Sequence, residues 1–488
     1  MNLRKATYSA TRWTTASALL RALIQLLQTA ILARLLPPAD FGLMAMAGVV
    51  LAIALLFSDF GLSSALMHFQ RPKHATLSSL YWLNLMMALG LAVVFLFAGG
   101  LLAVAYGQPS LVAICCWLSL SFPLNAFGQQ FRVLAEKDLH FKPLAENEVA
   151  SASTGFLIAI FLAKLNFGVY ALVGAQLATV AMSSALAWVR ISEGLRPTFG
   201  FKWSLTKPFL SFGLHRIGDS FWNALLLQTD VFFAGLTGSP HSLAIYATPR
   251  EQSLKIATLI INPVITRVGL PVMTRLNEDR SALSEIYAKT LRLSASFNFP
   301  IYAFLAVFSD QFVLVLLGPQ WGEAAEFLRI FALWGLIRST GNPTGILLYA
   351  VGKAKRAHIW NIIQFFASAP VLFAVSQRGD LRALALSMTV WQGLIFFLAW
   401  RFLVLPSCGL SFQKYYTNFL PPLASTLFAS ISAYLVVQIV QTTWQLPLGV
   451  ACFGFTYLFA SWRLNQPWLL AMQELTTPIL NRLYRVRR

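Results

Sequence analysis

The chain is 488 residues long, 57% hydrophobic, 14% aromatic and only 11% charged, about half the charge of a soluble domain. Its mean hydropathy of +0.65 excludes a large water-soluble catalytic domain, and at roughly 20 apolar residues per helix there is room for about 14 membrane spans. The net charge of +19, from 37 Lys and Arg against 18 Asp and Glu, fits either a nucleic-acid partner or basic cytoplasmic loops, and the positions of the charges decide between them.

In chain order, residues 1–12 are a basic tail and span 1 covers 13–35. Arg21 inside that span is not tolerated in the core of a signal peptide, so the helix is retained. Spans 2 to 6 are predicted at 41–67, 78–105, 110–131, 143–163 and 168–189. A polar connector at 191–207 separates this N-terminal half, 13–190, from a second half, 208–403. The second half holds spans 7 to 12 at 208–236, 242–273, 293–316, 325–350, 358–376 and 383–402. Segment 404–463 adds spans 13 and 14 at 418–440 and 446–462, and 464–488 is a basic amphipathic tail expected to lie in the membrane interface. The expected fold is all-α and polytopic: two six-helix lobes in parallel pseudo-repeat around a central cavity, plus two extra helices.

With both termini cytoplasmic, the basic residues sort onto one side. Inside loops hold, among others, Arg71, Lys73, Arg132, Lys137, Lys142, Arg190, Arg275, Arg280, Lys353, Arg356, Arg401 and Lys414, whereas outside loops keep Lys164, Arg378 and Arg382. The charge is therefore topological and no nucleic-acid partner is expected. An internal repeat agrees: Leu26-Leu27-Gln28-Thr29 in span 1 recurs as Leu226-Leu227-Gln228-Thr229 in span 7. An even number of spans between the copies gives both halves the same orientation.

Charges within spans are costly and need a cavity or a partner. Span 7 places Arg216, Asp219, Asn223 and Asp230 on one narrow helical face, span 1 does the same with Arg21, Gln25 and Gln28, and span 8 with Glu251, Lys255, Thr258 and Asn262. The simplest geometry is a hydrated, net cationic cavity between the lobes. Two readings stay open for the pairs Arg216 with Asp219 and Glu251 with Lys255: cavity walls, or ion pairs within a helix. Arg21 and Arg267 are assigned to the cavity; Arg34, Arg250 and Arg329, near helix ends, are assigned to snorkelling. Asp59 either titrates as a proton or cation site or caps a break in span 2. Pro123, Pro263, Pro300, Pro343 and Pro370 fall inside predicted spans and serve either as hinges or as ordinary membrane-helix prolines. Gly341-x-x-x-Gly345 is compatible with close helix packing.

Cys115, Cys116, Cys408 and Cys452 form no C-x-x-C pair and have no histidine at ligand spacing, so no metal is expected. The phosphate-loop, H-E-x-x-H and G-x-S-x-G patterns are absent. No cofactor and no catalytic residue is expected.

The stretch from Ile31 to Gln70 resembles the opening of bacterial oligosaccharide flippases of the Wzx type, in the branch similar to colanic acid exporters. The matching residues are Ala33-Arg34-Leu35-Leu36, Pro38, Asp40-Phe41-Gly42 and Asp59-Phe60-Gly61-Leu62, with Leu317-Gly318-Pro319-Gln320-Trp321 and Gly352-Lys353 similar further on. The resemblance implies the multidrug/oligosaccharidyl-lipid/polysaccharide exporter fold. It also implies movement of undecaprenyl-diphosphate-linked repeat units across the bacterial inner membrane by alternating access, for exopolysaccharide or O-antigen export. By position it makes Arg21, Arg216 and Arg267, with Arg250 and Lys255 behind them, the cations that attract the diphosphate. Gln25, Gln28, Asn223 and Asn262 then line the wall, and Asp59, Asp219 or Asp230 couple the cycle to an ion gradient. The implied partners are the lipid-linked oligosaccharide, membrane lipids, and a polymerase and co-polymerase of the same pathway. The competing readings are a multidrug or peptidoglycan-precursor exporter of the same fold and, more remotely, a membrane glycosyltransferase or polymerase.

Overall fold

The structure, a computed structural model, describes residues 3–69, 72–192, 194–256, 262–439, 445–466 and 468. Within these, the side chains of 3–12, 214–217, 219–220, 256, 262–265 and 267–268 are not described. The predicted interfacial tail therefore lies almost wholly outside the described residues.

No strand occurs among the described residues. The helices in order are α1 (Leu3–Leu35), α2 (Pro38–Leu56), α3 (Leu62–His68), α4 (His74–Tyr106), α5 (Ser110–Ser119), α6 (Ser121–Lys137), α7 (Phe141–Lys164), α8 (Tyr170–Leu186), α9 (Trp203–Thr237), α10 (Pro240–Ile256) and α11 (Asn262–Arg275). They continue with α12 (Arg280–Val307), α13 (Ser309–Leu316), α14 (Ala324–Ser339), α15 (Asn342–Ala350), α16 (Ala354–Ser376), α17 (Leu381–Ala399), α18 (Leu405–Cys408), α19 (Phe412–Thr417), α20 (Leu420–Ile439) and α21 (Gln445–Leu464). Each predicted span falls on one of these helices or on two successive ones. Among the described residues, eight helices are long and apolar enough to cross a membrane, and nine if α12 and α13, bent by 79°, count as one. Their outer surfaces are hydrocarbon: Phe97, Leu101 and Val104 of α4 are 72%, 73% and 84% exposed, a surface that water does not tolerate but lipid does.

The chain divides into two compact units. Unit 1 comprises residues 1–247, 316–321 and 361–381; unit 2 comprises 248–315, 322–360 and 382–488. In unit 1, α7 packs on α1 and on α8, and Leu32, Leu36, Ala159, Ala163, Ala171 and Ala175 are buried together there. Alanines at these positions let the backbones approach, as membrane helices require in place of a hydrophobic driving force. Helix α9 packs on α2, α3 and α4, and glycines set the closest approaches of α2 to α10 and of the α2–α3 break to α9. A Cβ on Gly42 would overlap the carbonyl of Pro240, and one on Gly61 would overlap the backbone of Gly213. In unit 2, α12 is central, packing on α11, α14, α15 and α20 over a core that includes Leu283, Tyr287 and Leu291, with the Tyr287 and Thr344 hydroxyls bonded at 2.8 Å.

Two breaks in unit 1 repeat one another. Helix α1 gives way to α2 across Leu36 and Pro37, and α9 gives way to α10 across Gly238 and Ser239, with proline opening the next helix in both. The repeat sequences behave alike too: Thr29 donates to the carbonyl of Gln25 and Thr229 to that of Leu225.

Some proline and glycine expectations change. Pro123 lies in the first turn of α6 and Pro343 in that of α15, after breaks in the predicted spans, where a missing N–H costs nothing. Pro300 and Pro370 remain inside α12 and α16, and the side chain of Pro263 lies outside the described residues. Gly345 has open space where a Cβ would stand and Gly341 meets only its own turn, so this glycine pair does not mark a close helix crossing. Arg132 and Lys137, expected in a loop, lie on the last two turns of α6.

Candidate functional site

The two stretches that carry the resemblance meet in unit 1. Pro37 has no N–H, so the Ala33 carbonyl at the end of α1 has no helical partner. Trp321 supplies one: its Nε1 donates to Ala33 O at 2.9 Å, and the amide of Gln320 donates to both Ala33 O and Leu36 O. Trp321 is fully buried and meets Phe41 edge-on at 5.2 Å between ring centroids. The second motif builds the α2–α3 break. Phe60 and Gly61 both adopt positive φ, 47° and 74°, and the Asp59 carboxylate accepts from Gly61 N and Ser63 N at 3.0 and 3.1 Å. Asp59 is thus a capping residue at a break, with both oxygens bonded.

Polar side chains gather at several points in unit 1. The Arg21 guanidinium lies 3.6 Å from the carboxylate of Glu148 on α7, which also accepts from buried Ser17 at 3.0 Å. Glu148 escaped the spacing argument because its partner is on another helix. Gln28 is half-buried, and Gln25 and Asn223 are exposed. Asp230 is completely buried on α9 and accepts from Tyr246 Oη of α10 at 2.9 Å; Tyr246 was not selected because its partner lies on another helix. A further polar chain runs from Ser63 through Gln129 and Asn125 to Arg132, whose Nη2 donates to Asn125 Oδ1 at 2.6 Å. The side chains of Arg216 and Asp219 lie outside the described residues.

Unit 2 holds its own embedded cations. Arg250 is 4% exposed and lies 5.7 Å from the ring centroid of buried Trp334, and Arg338 approaches the same ring at 5.3 Å. A tryptophan face attracts a guanidinium through its ring quadrupole. Arg250 is therefore buried rather than snorkelling, and Arg338, which no spacing argument had selected, joins it. Lys255 pairs with Glu251 at 3.3 Å one turn away, the intrahelical alternative. The side chains of Asn262 and Arg267 lie outside the described residues. Among the described residues no group of His, Cys, Asp or Glu could hold a metal.

The family described as "Polysaccharide biosynthesis protein" matches residues 31–326, a stretch that contains both motifs meeting at the end of α1. The chain belongs to that family. Among its relatives, the teichuronic acid biosynthesis protein TuaB of Bacillus subtilis is 28% identical over 94% of this chain and 95% of the relative. The lipopolysaccharide biosynthesis protein WzxC of Escherichia coli is 27% identical over 89% of this chain and 88% of the relative. Among solved structures, the lipid II flippase MurJ in an inward closed conformation superposes with a TM-score of 0.72 at 13% identity, over 97% of this chain and all of MurJ. This polysaccharide biosynthesis protein is thus a multi-pass membrane protein with the fold of MurJ.

Proposed function

We propose that the protein flips undecaprenyl-diphosphate-linked oligosaccharide repeat units across the bacterial inner membrane by alternating access, for polysaccharide export. The family match across residues 31–326 carries this reading, and the names of TuaB and WzxC, a teichuronic acid and a lipopolysaccharide biosynthesis protein, support it. The fold shared with a lipid II flippase adds a scaffold suited to a lipid-borne head group. In this reading the fourteen predicted segments all cross the membrane, both termini face the cytoplasm, and the halves 13–190 and 208–403 act as lobes around a central cavity. Segment 404–463 adds two outer spans. A polymerase and co-polymerase of the same pathway take over the product.

The chemistry needs no bond to be made or broken, and the protein is not an enzyme in this reading. Guanidinium forks bind diphosphate bidentately and are weakly hydrated, which lowers the cost of carrying the head group past hydrocarbon. Arg21, Arg216 and Arg267 take that role, backed by Arg250 and Lys255, with Gln25, Gln28, Asn223 and Asn262 on the wall. Arg21 exchanges its partner Glu148 for the diphosphate. Asp219 and Asp230 are the carboxylates assigned to ion coupling; Asp59, with both oxygens occupied in capping, becomes so only if its break rearranges.

Leaflet transfer of an undecaprenyl-diphosphate oligosaccharide in proteoliposomes tests the reading. Protein-dependent transfer that falls more than about tenfold in Arg21→Ala or Arg216→Ala, roughly 1.4 kcal/mol of barrier, supports it. Transfer that is unchanged in both variants keeps the flippase and removes these cations from the site. Absence of transfer under every ion gradient favours a drug or peptidoglycan-precursor exporter.

A further inference from the structure

At one end of unit 2, the start of α12 and the turns around α18 and α19 enclose an open basin of 1070 Å³. Its wall carries Arg280, Lys289, Arg292, Arg401 and Lys414 against a single acid, Glu285. Two of the cations are held in place: Arg280 donates to Leu405 O at 3.3 Å, and Arg292 to Asn465 Oδ1 at 2.8 Å. The side chains of Lys289, Arg401 and Lys414 are exposed and make no ion pair or hydrogen bond among the described residues. Glu285 sits one turn from Lys289 on α12 and still does not pair with it. The nearby carboxylate of Asp279 is spent on the backbone of Ser281 and Ala282, capping α12.

The backbone is shaped around these groups. Residues Trp400–Val404 form a π-helical turn that carries Arg401, a feature that often marks functional sites. Gly409 adopts φ +75°, and a Cβ there would come within 3.2 Å of Arg280 Nε, so glycine lets the guanidinium lie over the end of α18. Lys353 donates to the carbonyl of Pro406 on the basin wall at 3.0 Å. Beside the cations stand exposed aromatics, Phe402, Phe412 and Tyr416, 57%, 40% and 43% exposed, the amphipathic belt of a membrane–water interface. Leu405, Pro406 and Leu410 add apolar surface to the same wall.

We propose that this basin binds the phosphate headgroup of an anionic membrane lipid. Free cations held at interface depth beside apolar surface match a phosphate that arrives attached to an acyl or prenyl chain. The chain's own tail is net basic as well, residues 469–488 carrying one acidic side chain, Glu474, against Arg482, Arg485, Arg487 and Arg488. In the orientation proposed above, on which this inference rests, the basin opens at the cytoplasmic leaflet.

Native mass spectrometry of the full-length protein, titrated with phosphatidylglycerol or zwitterionic phosphatidylcholine, tests the site. The protein is expected to retain phosphatidylglycerol selectively. Combined Lys289→Gln, Arg401→Gln and Lys414→Gln substitution weakens that retention about a hundredfold, from about 1 kcal/mol per interfacial cation. An equal neutralisation in unit 1, at exposed Lys73, Arg196 and Lys202, leaves retention unchanged, and unaltered thermal unfolding of the basin variant keeps the comparison valid. Equal retention of the two lipids, or a basin variant that binds like the wild type, overturns the proposal. Undecaprenyl diphosphate separates the two sources of phosphate: displacement of phosphatidylglycerol from the basin makes it a loading point for cargo, and independent binding makes it a site for a resident phospholipid. Retention without leaflet transfer leaves the basin standing and removes the flippase reading; transfer without retention does the reverse.

Discussion

Each unit has a pocket near the loops that the positive-inside rule assigns to the cytoplasm, and the two treat their cations in opposite ways. The pocket of unit 1, 340 Å³, is lined by Leu77, Phe131, Leu134 and Ile191 and carries Lys137, Asp138 and His140. Lys137 there is consumed internally: its ammonium donates to Leu66 O and Phe69 O at 2.7 and 2.5 Å, closing the end of α3. The basin of unit 2 keeps Lys289, Arg401 and Lys414 without partners among the described residues. Loop cations counted alike by sidedness thus divide into structural caps and groups left for a ligand, and only the carbonyls around them tell which is which.

The largest effect that would sharpen this contrast is on stability. Lys137→Met strips two charge-assisted bonds from a half-buried site and is expected to cost about 2–3 kcal/mol, read as a lowered Tm in detergent. Lys289→Met in the open basin should change stability by less than about 0.5 kcal/mol. Equal losses in the two variants would erase the distinction. Next in size, Trp321→Phe keeps the ring but removes the indole N–H from Ala33 O; with Gln320 still donating, the cost should be about 1–2 kcal/mol by the same measurement. No loss would mean that Gln320 alone closes α1.

Lipid retention in the basin should weaken several-fold when ionic strength is raised from about 0.05 to about 0.5 M, because the Debye length shortens to a few ångströms. Retention insensitive to salt would point to apolar contacts in place of the cations. The smallest effect concerns Lys353. Desolvation, then the charges of Arg356 and Arg280, hold its ammonium below the ordinary 10.5. Between the folded and the ordinary value the unfolded chain binds more protons, so this group's cost to folding is full below the folded value and is relieved as pH rises towards 10.5. Unfolding scans on the alkaline side should therefore show a small rise for the wild type relative to Lys353→Met; parallel curves would mean that neither desolvation nor the neighbouring guanidiniums perturb Lys353 in the folded protein.

The long helices were legible because an apolar run of membrane length permits little else. The breaks were legible only in part, since the prolines at 37, 38, 240 and 343 mark helix starts but do not say which neighbour satisfies the freed carbonyls. Among candidate site residues, the Lys255–Glu251 pair follows from spacing within one helix. Glu148 for Arg21, Tyr246 for Asp230 and Trp334 for Arg250 come from other helices, and helical periodicity carries no information across helices. The fate of Lys137 was hidden for the same reason, because a cation that caps a helix end reads in sequence like one that faces solvent.

The closure of α1 by Trp321 bears on how the protein is made. The partner of Ala33 lies 288 residues further along the chain, and at about 5–20 residues per second of synthesis it emerges roughly 15 to 60 s later. Through that interval the carbonyl of Ala33 lacks the two side-chain donors that close it in the finished fold. The fold of the N-terminal unit is completed only when the chain beyond α13 comes back to it.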